Sequence, residues 1–340
     1  MAAEGLGGAL ASVLTYAPPW WLPGGHLQTI WSATCARSTR RLRPQWRRER
    51  WPTPDGDFVD VDHLAGDFGD AGEAGARPLL VLFHGLEGSS QSHYARAFAE
   101  AAAERGWDFA VPHFRGCSGE NNLAPRAYHS GDFEEIHWLL QRFAAAPQRP
   151  RLYAVGVSLG GNALMRWTGE SGADASLLVD GVAAICAPLD LAAGGQAIDR
   201  GFNRQVYARM FLRTMVPKAL SKLEQFPGLF DAARLRGVRD LHGFDDVFTA
   251  PLHGFRDADD YWCRASAKPL LGQVRVPALV VNARNDPFVP AASLPGAAQV
   301  SSAVQLWQPQ HGGHVGFAQG RWPGNVRALP DQVLDWLARV

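Results

Sequence analysis

Along most of the chain, short runs of apolar residues alternate with longer stretches whose apolar positions recur every three or four residues. The runs at Leu79–Phe83, 109–111, Leu152–Val157, 182–186, Ala278–Val281 and Val304–Trp307 are short and almost unbroken, the pattern of strands buried on both faces. Between them, 94–105, 133–145 and 162–169 have the length and the Ala, Leu and Glu content of helices. Strand, helix, strand in repetition predicts a mostly parallel sheet covered by helices on both faces. Upstream, 47–52 and 58–64 flank the turn Pro54-Asp55-Gly56-Asp57 and predict an antiparallel hairpin at the sheet edge. Residues 58–64, FVDVDHL, alternate with period two, the mark of a half-exposed strand.

The rhythm breaks once. From 191 to about 268 no buried strand is evident; 203–215 and 219–226 favour helix, and a stretch rich in Gly, His and Asp reads as loop. An insertion of this size predicts a helical cap or lid within one domain spanning 1–340. Residues 67–76, rich in Gly, Asp and Ala, predict a surface loop, and the arginines of 37–50 predict a solvated basic face.

Composition narrows the function. With 33 Lys+Arg against 33 Asp+Glu in 340 residues, the basic excess of a general nucleic-acid binder is missing. A chain of this length buries a core large enough to need no disulfide or metal staple. Cys35, Cys117, Cys186 and Cys263 are scattered without a CxxC pair, so free thiols in a reducing compartment are expected. No apolar run reaches the roughly 18 residues of a spanning helix. Residues 1–17 lack the positive start of a secretory signal. A cytoplasmic protein is expected, with peripheral membrane contact left open.

The chemistry concentrates in four places. Gly156-Val157-Ser158-Leu159-Gly160-Gly161 lies between a predicted buried strand and a helix, where a serine nucleophile must stand on a sharp turn relieved by small neighbours. By contrast, Gly116-Cys117-Ser118-Gly119-Glu120 lacks the second spaced Gly. An alkyl hydroxyl needs a base. Of 11 His residues, His314 in His311-Gly312-Gly313-His314-Val315 follows the last predicted strand, behind two Gly and before an apolar residue; His311 competes in the same loop. His93, His129 and His137 read as surface or helix-face residues. The base needs an orienting carboxylate, and Asp286 follows the strand at 278–281 inside Asn285-Asp286-Pro287, with Asp190 the competitor after the strand at 182–186. The order Ser158, Asp286, His314 is that of serine hydrolases built on an open α/β sheet. Oxyanion donors are expected from the backbone of Leu159, next to the serine, and of Leu86 in His84-Gly85-Leu86-Glu87-Gly88. No metal or cofactor motif stands out, and none is expected.

The chain resembles the YheT-like branch of the α/β-hydrolases, related to the abhydrolase-domain esterases and lipases. The matching residues run through nearly the whole chain: PPWWLPGGHLQT at 18–29, DGDFVDVDH at 55–63, HGLEGSS at 84–90, HFRGCSGE at 113–120, GVSLGGN at 156–162, FDDVFTAPLHGF at 244–255, NARNDPFVP at 282–290 and HGGHVGF at 311–317. The resemblance implies an α/β-hydrolase fold with Ser158 as nucleophile, Asp286 as acid and His314 as base, against His311 and Asp190. Asn285 stands where relatives often carry a second Asp. It further implies hydrolysis of small-molecule carboxylic esters, short-chain esters or acylglycerols. Thioesters and amides need the same triad, and a non-catalytic ligand-binding protein is the remaining alternative. For residues 18–29 a structural role against the cap is expected. Phe202, Met210, Phe211, Leu212 and Met215 are expected either to line an acyl cleft or to bury the cap on the sheet.

Overall fold

The computed structural model describes residues 14–36, 44–65, 77–145 and 151–340. The loop expected at 67–76, the arginines of 37–43 and the first thirteen residues of the amino-terminal stretch lie outside the described residues. Eight strands form a single sheet among the described residues: β1 (Gln45–Pro52), β2 (Phe58–Ala65), β3 (Leu79–Phe83), β4 (Asp108–Pro112), β5 (Leu152–Val157), β6 (Gly181–Ile185), β7 (Ala278–Val281) and β8 (Val304–Trp307). Their order is β1-β2-β4-β3-β5-β6-β7-β8, antiparallel at β1/β2 and β2/β4 and parallel from β4 to β8. This is the expected sheet with the hairpin at one edge.

Alternation along each central strand feeds two cores. In β3, Val81 and Phe83 enter one core with Ile136, Leu139 and Leu140 of α3 (Phe133–Ala144), while Leu80 and Leu82 enter the other with Phe98 of α2 (His93–Glu104). Both faces are covered, so neither parity of position is free to be polar. Helix α3 has Glu134 and Glu135 in its first turn and Arg142 in its last, each sign opposing the helix dipole. Two helices escaped the sequence reading: α1 (Gly25–Thr34) before the sheet, and a closing helix, Ala328–Leu337.

The hairpin corrects two expectations. Strand β2 is not half-exposed: Val59 and Val61 face a core, and Asp60 and Asp62 are buried as well. Arg50 stands opposite Asp60, and Arg48 opposite Asp62, in the antiparallel register. Each guanidinium grips its carboxylate with two bonds of 2.7–2.9 Å. The described part of the arginine run is therefore not simply solvated. Burial alone would raise both carboxyls, but the facing arginines outweigh it and hold them below the usual range.

Between β6 and β7 the chain is helical among the described residues: α5 (Leu191–Ile198), α6 (Arg209–Gln225) and α7 (Ala258–Ala265) are joined by shorter turns of helix, including π-helical turns at Arg204–Ala208 and Asp245–Thr249. The Gly, His and Asp-rich stretch expected as loop is helical over Leu241–Leu252. Asp240 accepts from the Gly243 N–H at its start, and Phe244, Val247 and Phe248 enter a core of insertion residues against which Leu86 and Ala127 also pack. All four cysteines are free, and no helix among the described residues is long and apolar enough to cross a membrane.

Candidate active site

The elbow after β5 explains its own sequence. Ser158 has φ 53° and ψ −117°, a backbone region that costs a non-glycine residue strain. The turn folds so tightly that a Cβ on Gly156 would lie 2.4 Å from the Gly160 oxygen, and one on Gly160 would lie 2.4 Å from the Phe83 oxygen. A Cβ on Gly161 would lie 2.8 Å from that of Ala187. Helix α4 (Leu159–Ser171) starts at the next residue, earlier than the predicted 162.

The structure brings three of the expected side chains together. His314 Nε2 lies 3.0 Å from Ser158 Oγ, and His314 Nδ1 lies 2.9 Å from Asp286 Oδ2. The other oxygen of Asp286 accepts the N–H groups of Phe288 at 2.7 Å and Val289 at 3.3 Å, so the carboxylate is fixed from both ends. The Phe288 ring lies against the imidazole with centroids 4.3 Å apart. The competitors lie elsewhere. His311 is exposed, and Asp190 caps α5 by accepting from Ala193, with Lys268 at 3.7 Å.

The histidine loop is strapped residue by residue. The N–H of Gly312 donates to Gln28 Oε1 (2.9 Å), of Gly313 to Asn285 Oδ1 (3.0 Å), of His314 to Thr29 Oγ1 (2.8 Å) and of Val315 to Cys186 Sγ (3.3 Å). Gln28 and Thr29 belong to the 18–29 segment, which thus straps the His314 loop; the same helix also meets the helical insertion through His26 Nδ1, 3.1 Å from the Tyr207 hydroxyl. His93, the first residue of α2, is half-buried: its Nε2–H reaches the Val315 carbonyl at 3.2 Å, and burial holds its pKa down to about 4, so it stays neutral. His129 is likewise enclosed, 4.4 Å from the ring of His253, and lines the cleft described below. His137 accepts from the indole N–H of Trp167.

Among the described residues, five non-glycine positions have positive φ: Glu87, Ser158, Cys186, Val315 and Phe317. All lie in segments that build this site. Such strain persists only where the surroundings over-determine it.

The loop after β3 passes over the serine, since a Cβ on Gly85 would lie 3.2 Å from that of Ser158. His84 stays neutral because burial lowers its pKa to about 3; its Nδ1–H holds the Gly85 carbonyl at 2.8 Å while Nε2 accepts from Phe114 N–H at 3.0 Å. Gly85 N–H donates to the Tyr94 hydroxyl at 2.9 Å. The next amide, that of Leu86, makes no hydrogen bond among the described residues, and neither does that of Leu159 in the first turn of α4, whose N–H groups have no helical partner. Both residues line the cleft at Ser158.

The cleft holds about 1120 Å³ of empty space, counted out to its open mouth. Leu191, Ile198, Phe211, Met215 and Phe244 of the insertion give it an apolar lining, and Arg115, Lys218 and Lys222 line it as well. The five apolar residues singled out in the insertion divide: Phe211 and Met215 line the cleft, Leu212 is buried, and Phe202 and Met210 are exposed.

The metal-ligating side chains of Cys186, Asp286 and His314 lie within 4.8 Å of one another. The donor set suits a metal poorly. Burial, then the Asp286 charge, pushes the Cys186 thiol far above its ordinary pKa, so it is not a thiolate, and His314 Nδ1 already serves Asp286.

Comparison with known proteins supplies the lineage. Residues 78–320 match the family model described as alpha/beta hydrolase fold. The chain is 40% identical over 318 residues to the Escherichia coli (strain K12) protein named "Putative esterase YheT", covering 92% of this chain and 89% of that one. It is 28% identical to the human protein named Phospholipase ABHD3, over 91% of this chain and 75% of that one. It is 26% identical to the Saccharomyces cerevisiae protein named Monoacylglycerol lipase, over 88% and 68%. Among solved structures, the Pyrococcus furiosus esterase Pf2001 superposes with a TM-score of 0.53 at 15% identity, over 87% of this chain and 93% of that one, a likeness of fold.

Proposed function

The chain belongs to the α/β-hydrolase family, in its YheT-like branch, and from that premise we propose that it is a serine hydrolase of carboxylic esters, acylglycerols or short-chain esters, acting through an acyl-enzyme. One observation carries the reading: the unbroken run of short contacts from Ser158 Oγ through both nitrogens of His314 to Asp286. The names of relatives, an esterase, a phospholipase and a monoacylglycerol lipase, favour esters as the substrate class.

In this reading the substrate carbonyl enters the cleft beside Ser158. Oγ attacks the carbonyl carbon as its proton passes to His314 Nε2, and the imidazolium that forms is stabilised by Asp286. Charge gathers on the former carbonyl oxygen, which the N–H groups of Leu86 and Leu159 receive; the positive end of α4 adds to their effect. The tetrahedral intermediate collapses, His314 returns the proton to the departing alcohol, and an ester on Ser158 remains. Water then gives its proton to His314 as it attacks the acyl carbon; the second tetrahedral intermediate collapses with cleavage of the bond to Ser158 Oγ, which takes the proton back from His314 as the acid leaves. Residues 191–268 act as a cap whose apolar wall takes the acyl chain. The substrate is a small ester or lipid, and no metal or cofactor takes part.

The test is a panel of p-nitrophenyl esters of rising acyl length, with labelling by a fluorophosphonate. The wild type is expected to hydrolyse at least part of the panel and to be labelled on Ser158; Ser158→Ala is expected to lose roughly 10⁴-fold or more in kcat. Equal activity in the two proteins, or an inert wild type that resists the label, would overturn the reading.

A further inference from the structure

Glu87 stands where a glycine would be favoured. The Gly88 N–H donates to the Gly85 carbonyl at 2.9 Å, closing a four-residue turn with Leu86 and Glu87 at its centre. Glu87 has φ 55° in the second central position, the pattern of a type II turn. Glycine takes that conformation freely, and a side chain is strained there.

The carboxylate makes contacts that a glycine could not. Its Oε1 accepts from the Tyr128 hydroxyl at 2.8 Å and from Lys218 Nζ at 2.8 Å. The Tyr128 oxygen in turn accepts the Glu87 N–H at 3.0 Å. On the core side, the Tyr128 ring stacks on Phe114, whose N–H is held by His84. On the other side, Lys218 belongs to α6, the helix that presents Phe211 and Met215 to the cleft. One carboxylate therefore joins the floor of the site, the turn that carries Leu86, and the helix that touches whatever fills the cleft.

We infer that Glu87 and Lys218 form a latch through which the seating of α6 sets the direction of the Leu86 N–H, with Glu87 a positioning residue for oxyanion stabilisation. The inference rests on the proposed role of Leu86. When an acyl chain packs against Phe211 and Met215, α6 is held down, Lys218 holds Glu87, and the turn stays fixed with its amide toward the oxyanion. When α6 lifts, the turn loses one of its two side-chain anchors. Substrate occupancy of the cap is thereby coupled to completion of the reacting centre. The alternative is an ion pair that only fastens the helix to the floor, and the two differ in what they predict for rate and stability.

The test uses the full-length protein, the p-nitrophenyl ester with the longest acyl chain the enzyme accepts, thermal melting and fluorophosphonate labelling. Glu87→Gly relieves the strained φ and deletes both anchors. It is expected to lower kcat by about 10- to 100-fold, because small misplacements of a reacting group cost that much, with KM within about twofold and Tm unchanged or raised. Glu87→Gln and Lys218→Met are each expected to lower kcat severalfold, and their double variant is expected to be no worse than the poorer single one. Lys218→Arg is expected to restore most of the rate. If Glu87→Gly keeps kcat within twofold, or if its rate and Tm fall together while the Gln and Met effects simply multiply, the latch is refuted. Should Glu87→Gly not fold, the Gln, Met and double variants decide by the same criterion. An inert, unlabelled wild type refutes the assignment of the site, and the latch with it; an active, labelled wild type with unaffected variants refutes the latch alone.

Discussion

The strand-end floor and the helical insertion of this molecule are built on opposite principles. The floor is over-determined: four consecutive amides around His314 are each held by a different side chain, and five strained non-glycine residues lie in its loops. The insertion has a small core of its own around Leu235, Phe244 and Phe248, two π-helical turns, and apolar side chains such as Phe202 and Met210 left in solvent. In the proposed reaction, rigid geometry would serve atoms that are always the same, and the apolar wall would serve acyl chains whose length varies.

The sharpest way to break the comparison is at the floor. Asp286→Asn leaves the shape of the loop nearly intact but removes the acceptor that fixes the His314 tautomer. It is expected to lower kcat by roughly 10⁴-fold with little change in Tm. Single-turnover kinetics with a p-nitrophenyl ester measure this, and a loss under tenfold would mean that the carboxylate is a structural anchor and not part of the chemistry.

The two regions also differ in how their carboxyls ionise. In the hairpin, burial would raise Asp57, but Asn122 and the amides of Leu123, Ala124 and Phe58 prevail and lower it to about 2. Its contribution to stability is full above the ordinary value near 4 and fades as pH falls toward 2. In the insertion, Asp245 is raised to about 6, first by burial and then by Asp199, against the hydrogen bonds of Thr249 and Trp262. The folded state favours its neutral form, so the insertion loses stability as pH rises from about 4 through 6, by an amount on the order of 3 kcal/mol. Asp245→Asn is expected to remove that loss. Hydrogen exchange of the amides of 241–252 at pH 5 and pH 8 reads it directly; an unchanged pH dependence in the variant would show that Asp245 is not the source.

What was legible in the sequence follows the same division. Central strands such as β3 and β5 announce themselves because both faces are buried and every position is apolar. The elbow at Ser158 is legible because its glycines fall within six residues, although Gly160 and Gly161 also answer crowding by the distant Phe83 and Ala187. The straps were not: Gln28, Thr29 and Cys186 are 284, 285 and 129 positions from the amides of Gly312, His314 and Val315 that they hold. No local pattern carries such a contact, although the family resemblance already marked residues 18–29. The alternation of FVDVDHL misled because a buried Asp facing an Arg across a hairpin has the same spelling as a solvated one. The helical Leu241–Leu252 hid behind Gly, His and Asp, whose low propensity was overridden by the cap of Asp240 and by the burial of Phe244 and Phe248.

The smallest expected effect tests the division of labour itself. Phe211 and Met215 line the cleft from α6, so truncating Met215 to Ala removes apolar contact while the hydrogen bonds among Ser158, His314 and Asp286 stay in place. A lost hydrophobic contact of this size is worth about 1–2 kcal/mol. Met215→Ala is therefore expected to reduce kcat/KM for the longest acyl chain the enzyme accepts by about three- to tenfold, while acetate and butyrate esters, too short to reach that wall, stay within twofold. A uniform loss across the whole series would mean that α6 acts on the reacting centre for every substrate alike. The insertion would then have to be read as part of the catalytic floor, with the latch at Glu87 engaged whether or not the acyl wall is filled.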